Sequence, residues 1–230
     1  MNIIAGLSIA ETVIKTVEIV GSKLAPGMKA FAERMCALSE KYPSLEKFAS
    51  FIDKAADIVS DVLFVLGVVS DPSSELGLKI EKADKSAEDF DSTEDYIQYL
   101  HDEIELDKDK VENLSSEEKI GYSISGIAVQ AAALGEKVGM TISPTFMEFV
   151  AKMKDVFGTI IDAKKLISIL ISSNEGGLKQ SNDIVDYFTG TGTSDRIKTG
   201  SICEDVFKKE FGEQGDELIS DIKTEARKDQ

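Results

Sequence analysis

The sequence predicts an all-α protein built as two tandem, pseudo-symmetric helical repeats packed as a multi-helix bundle. Three observations lead there. Apolar residues recur at helical spacing along most of the chain, while no sustained apolar–polar alternation is bounded by hairpin dipeptides. Only 4 prolines accompany 17 glycines, and hydrophobic and charged residues make up 42% and 30%, the balance of a folded, helix-rich chain rather than a disordered one. Third, "VGMTISPTFMEFVAKM" (138–153) follows "VGSKLAPGMKAFAERM" (20–35) after 118 positions and shares Val, Gly, Pro, Phe and Met with it.

The agreement continues in order along the chain. Ile9, Ala10 and Glu18 match Ile127, Ala128 and Glu136 at the same offset. Downstream the offset falls to 100, where "ELGLK" (75–79) aligns with "EGGLK" (175–179), and Thr93, Asp95 and Ile97 align with Thr193, Asp195 and Ile197. A period this long exceeds any solenoid unit and reads as a duplicated helical domain. The expected halves are 1–114 and 115–230, with an 18-residue insertion in the first half between 36 and 74. At 3.6 residues per turn this insertion is about five whole turns, so apolar faces beyond it keep their phase.

Each half opens with an apolar helix rich in small residues, 3–20 and 120–138, expected at the centre of the fold. Ser115 and Glu118 form a capping box at the start of the second copy. The next helix starts in both halves at a shared proline, Pro26 and Pro144, where a missing N–H costs nothing. Its buried face is expected to include Met28, Phe31 and Met35, and correspondingly Phe146, Phe149 and Met153. Pro43 disfavours helical angles at Tyr42, so one helix stops near Lys41 and another starts at Ser44. The second half should replace that pair with one long helix, or a shorter pair, between Pro144 and about Ser172. Further on, "STEDYIQYLHDEIELDKDKV" (92–111) predicts one helix capped by Ser92 or Thr93, burying Ile97, Leu100, Ile104 and Val111. Its counterpart, 194–211, keeps Ile197, Ile202, Val206 and Phe207. "TGTGT" (189–193) is a loop of turn formers, and a final helix runs from about Gly215 to Arg227.

Charge excludes some functions. With 42 Asp and Glu against 26 Lys and Arg, the formal charge is −16, which repels phosphate backbones and anionic headgroups. Nucleic acid is therefore not expected as a ligand, and a membrane is disfavoured. Cys36 and Cys203 have neither metal-ligand nor CxxC spacing and are expected reduced. The first residues lack the basic and apolar regions of a signal peptide, and no run approaches the roughly 20 apolar residues that span a bilayer. The most apolar stretches, 62–69 and 124–134, suit buried helices. A soluble, cytoplasmic protein is expected.

Chemical motifs are sparse. His101 is the only histidine, and Gln98 stands where a di-metal E-x-x-H pattern needs Glu. "EDFDSTED" lacks the central Gly and final Glu of a calcium loop, and "TGTGTSD" lacks the Lys-Ser/Thr pair of a phosphate cradle. No catalytic, cofactor-binding or metal residue is assigned, and no cofactor is expected. The expected function is a non-enzymatic acidic helical module that binds, neutralises or escorts a partner protein with a basic surface. Its candidate binding face is the acidic side of the 92–111 helix: Glu94, Asp102, Glu105 and Asp109. The alternative is a helical bundle that holds an apolar ligand or inserts into membrane.

Overall fold

The computed structural model describes residues 3–192 and 196–228. Within them the architecture is all-helical: α1 (Ile3–Gly21), α2 (Pro26–Ala37), α3 (Leu45–Val65), α4 (Ser73–Lys82), α5 (Thr93–Glu103), α6 (Lys108–Glu112), α7 (Ser116–Val138), α8 (Pro144–Phe157), α9 (Ala163–Glu175), α10 (Ser181–Thr189), α11 (Arg196–Phe211) and α12 (Gly215–Ala226). Short 3-10 turns follow α2, α8 and α11 and precede α5. The chain gathers into two compact units, Met1–Leu134 and Gly135–Gln230. That division falls inside α7, later than the boundary between residues 114 and 115 expected from the repeat.

In the first unit, α1 packs on α2 and α4, and α4 packs on α5. Every α7 residue from Ile120 to Ala131 is buried, as expected of a helix that is apolar all round. Glycine makes this possible. A Cβ added at Gly77 of α4 would sit 2.0 Å from the Tyr122 carbonyl oxygen, and one at Gly126 of α7 would sit 2.0 Å from that of Ser73. The backbones of α4 and α7 therefore touch at two places. α1 is less enclosed than expected: Val13, Val17 and Val20 are buried, while Ile14 and Ile19 are 47% and 50% exposed.

Local chemistry places the helix ends. Pro26 and Pro144 both occupy the first helical turn. Ser44 caps α3 by accepting from the Lys47 N–H at 3.3 Å, directly after the break at Pro43. Asp162 does the same for α9, accepting from the Lys165 N–H at 2.9 Å. Residues 144–172 thus form the shorter helix pair rather than one long helix. The Ser115–Glu118 capping box is present, with the Ser115 N–H donating to Glu118 at 2.9 Å and the Glu118 N–H to Ser115 Oγ at 3.2 Å. These bonds hold the Glu118 carboxyl below its ordinary range.

In the second unit, α10 packs on α8, α11 and α12, and α11 packs on α9 and α12. Phe188, fully buried, centres it: its ring lies 5.5 Å from Phe149 and 5.1 Å from Phe207.

Three expectations are corrected. The 92–111 segment is not one helix, because α5 ends at Glu103, Ile104 is extended and Asp107 caps the separate α6. The break lets Asp107 cap α6, accepting from the Asp109 N–H at 3.0 Å, and puts Asp109 in the first turn of that helix, where a carboxylate is favoured. The strings "ELGLK" and "EGGLK" are not equivalent either. Residues 75–79 lie within α4, whereas Glu175 ends α9 and Gly177 turns the chain with φ 106. Finally, Ile97 is fully buried but Ile197 is 87% exposed, so helical spacing there marks no common core face. Thr193 and Asp195 lie outside the described residues.

Gly77→Ala and Gly126→Ala should each destabilise the protein by about 1–3 kcal/mol, the usual cost of forcing a methyl into packed backbone. Gly27→Ala, with open space around its Cβ, should instead stabilise by about 0.5 kcal/mol. Urea unfolding midpoints of the three variants check this, and equal midpoints would refute the close approach of α4 and α7.

Candidate functional site

The site begins with a buried polar residue in an apolar helix. Gln130 of α7 is fully buried, yet its amide is satisfied. Nε2 donates to Ser70 Oγ at 3.0 Å and to the Asp71 carbonyl at 3.2 Å, and Oε1 accepts from Ser73 Oγ at 2.6 Å. One side chain therefore holds the 70–73 segment that leads from α3 into α4. Satisfied in this way, a buried amide fixes one loop conformation, because any other would strand polar groups in the core.

That loop delivers Asp71 to a three-residue junction. Lys79 Nζ donates to Asp71 Oδ2 at 2.7 Å and to the His101 carbonyl at 3.2 Å. The lysine and aspartate side chains are 9% and 13% exposed. Having its cation on the last turn of α5 also offsets that helix's negative end. His101 Nδ1 lies 3.1 Å from Asp71 Oδ1. Because a carboxylate only accepts, Nδ1 is the donor in this contact. His101 stays exposed, as its sequence context suggests, but is a partnered residue.

Of two clefts that share Ile104 in their lining, the smaller adjoins this junction. One, of about 490 Å³, is lined by Glu75, Lys79, His101, Ile104, Glu105, Leu106, Val111 and Glu112. Its lining thus holds three carboxylates and three aliphatic side chains. Its wall is braced by Glu81 of α4, which accepts from Lys110 Nζ of α6 and from Tyr122 of α7, both at 3.0 Å. Burial first, and then this bond to Glu81, push the Tyr122 hydroxyl well above its usual pKa. The other cleft, of about 610 Å³, is lined by Lys82, Asp84, Lys85, Gln98, Tyr99, Asp102, Glu103 and Ile104. Two of its charges meet Tyr99: the hydroxyl donates to Asp84, lowering that carboxyl's pKa, and Lys85 Nζ sits 5.1 Å from the ring centroid.

The four residues of the expected acidic face are dispersed by the helix break. Asp102 lines the larger cleft and accepts from Gln98 at 2.6 Å. Glu105 lines the smaller. Glu94 is half-buried in the first turn of α5, and Asp109, exposed in α6, lines neither cleft. The structure adds Asp71, Glu75 and Lys79, four residues apart in the chain, and the distant Glu112, which together match no known motif; the one signal was Gln130 interrupting an apolar run. Both cysteines are buried and free, and burial pushes each thiol up to about 12. Among the described residues no three His, Cys, Asp or Glu side chains are grouped to hold a metal ion. No described helix is long and apolar enough to cross a membrane.

Comparison with protein-family models, curated proteins and solved structures returned no match. The geometry is therefore read by itself.

Lys79→Met should leave the Asp71 charge buried without its cation and cost about 3 kcal/mol. Adding Asp71→Asn should recover part of that loss, because the stranded charge is gone. Denaturant unfolding of the single and double variants measures this, and additive losses would show that the two side chains are not coupled.

Proposed function

We propose that this is a non-enzymatic binding module that holds a basic segment of another protein in the smaller, acid-lined cleft. The observation that carries the reading is the composition of that cleft. Glu75, Glu105 and Glu112 supply carboxylates, while its one lysine, Lys79, is already bonded to Asp71. Ile104, Leu106 and Val111 give apolar surface on which the aliphatic stem of a lysine or arginine packs while its head meets the acids. The net charge of −16 steers a basic partner toward the protein and speeds encounter. The two buried, free cysteines favour a reducing compartment, in keeping with a cytoplasmic protein.

A short labelled lysine–alanine peptide tests this by fluorescence anisotropy. Binding should weaken as salt rises, and a Glu75→Gln/Glu105→Gln/Glu112→Gln variant should bind about tenfold more weakly, at up to about 1 kcal/mol per exposed pair. Undiminished binding by the variant, or no salt dependence, would overturn the reading.

We also propose that the two units derive from one duplicated helical ancestor, in a register different from that read in the sequence. The 118-residue offset carries on from Pro26 and Pro144 to the two N-caps, Ser44 and Asp162. It continues through the buried pairs Phe48 and Leu166, Phe51 and Ile169, Ile52 and Leu170, and Ala55 and Ser173. It then falls to 88, where "TEDYIQYL" (93–100) and "SNDIVDYF" (181–188) run over α5 and α10. Thr93, Tyr96, Ile97 and Leu100 are buried, as are Ser181, Ile184, Val185 and Phe188. In this register the end of α3 and all of α4 belong to the first unit alone, and with them come Asp71, Glu75 and Lys79. The shared positions are scaffold, and the cleft belongs to what is not shared. Superposing 20–57 on 138–175 in a crystal structure tests the proposal; chain paths that diverge between the proline and the next N-cap would sink it.

A further inference from the structure

We infer that the outward face of α3 is a docking surface for a basic amphipathic helix of a partner protein, with Phe64 as the apolar anchor. This surface is separate from the cleft and does not rest on it.

α3 buries one face, from Phe48 to Leu63, in the core of the first unit. On the opposite face Glu46, Asp53, Asp57 and Asp61 are all exposed. At 3.6 residues per turn these four fall within an arc of about 80° and lead to Phe64 at the helix end. Phe64 is 83% exposed. Val65 and Val69, 41% and 56% exposed, widen the apolar tip, and Gly67, with φ 76, turns the chain beside it. Leu63 and Val68 of the same run are buried, so the stretch expected to be core divides between core and surface.

A phenylalanine so exposed is the type of side chain that anchors protein interfaces, where a few aromatic residues carry most of the affinity. Charge decides what covers it. A second copy of this chain would set one acidic stripe against another, and an anionic lipid surface is repelled by the same stripe. Asp53, Asp57 and Asp61 recur on successive turns, which matches lysines or arginines spaced one turn apart on a facing helix. Lys47 and Lys54 both lie on one side of the stripe, so the complementary helix carries its basic residues along one line and an apolar residue where it meets Phe64. An apolar contact beside a charged line also sets register, since sliding by one turn separates Phe64 from its partner.

The probe is a fluorescein-labelled helical peptide with lysines one turn apart and a leucine at the end that meets Phe64. Phe64→Ala should weaken its binding about thirty-fold with the salt dependence unchanged, as loss of an aromatic hot spot does. Asp57→Asn/Asp61→Asn should weaken it and flatten the salt dependence. Because both sites are exposed, thermal melts of the variants should match that of the wild-type chain. Equal binding by Phe64→Ala overturns the proposal. So does Phe64-dependent dimerisation in sedimentation, or Phe64-dependent binding to phosphatidylcholine vesicles. The Glu75→Gln/Glu105→Gln/Glu112→Gln variant should bind the helical peptide as the wild type does. If it does not, the peptide occupies the cleft, and the α3 assignment fails while the cleft reading stands.

Discussion

The contact of α4 with α7, backbone against backbone at Gly77 and Gly126, is the constraint on which the rest of the first unit depends. Side chains of ordinary size at either place would hold the helices several ångströms apart, because close-packed interiors absorb little extra volume. The approach brings Ser73 within reach of Gln130, and through it the loop that carries Asp71. Asp71 then fixes Lys79, and Lys79 reaches the end of α5. A steric fact about two glycines is thereby translated into the position of a charged junction and the cleft beside it.

Electrostatics shapes the site a second time, through the end of α5. The chain leaves helical geometry at Ile104, and Asp107 and Asp109 then meet the positive end of α6, as its cap and in its first turn. The break divides one surface into two clefts of different character. In one, Asp84 and Lys85 both engage Tyr99. In the other, Glu75, Glu105 and Glu112 share the lining with aliphatic side chains. The same sequence drawn as one continuous helix would have aligned its acids along a convex face and formed neither cavity.

Much of the helical plan was legible in the text because it is specified locally. Pro26 and Pro144 start helices by losing only an unpaired donor, Pro43 separates α2 from α3, and Ser115 with Glu118 begins α7. The apolar faces of α2 and α8 follow helical spacing, so Met35 and Met153 are buried as their periodicity implies. Identity of letters was a poorer guide where backbone and burial differ. "ELGLK" and "EGGLK" agree at four places, yet one is helix interior and the other a helix end. "TEDYIQYL" and "SNDIVDYF" share fewer letters, yet their buried positions coincide. Packing conserves side-chain type and facing, which an identity search does not read.

The sequence alone determined the helical class, most helix starts, the acidity of the surface and the lack of any contiguous catalytic or metal-binding motif, because each rests on residue type or on interactions within a turn or two. Only the tertiary structure decided that Asp71, Lys79 and His101 meet and that Phe64 faces outward while Leu63 does not. Those outcomes depend on which helices lie side by side, and the α4–α7 contact behind the first of them joins residues some fifty positions apart, a distance at which no local pattern carries information.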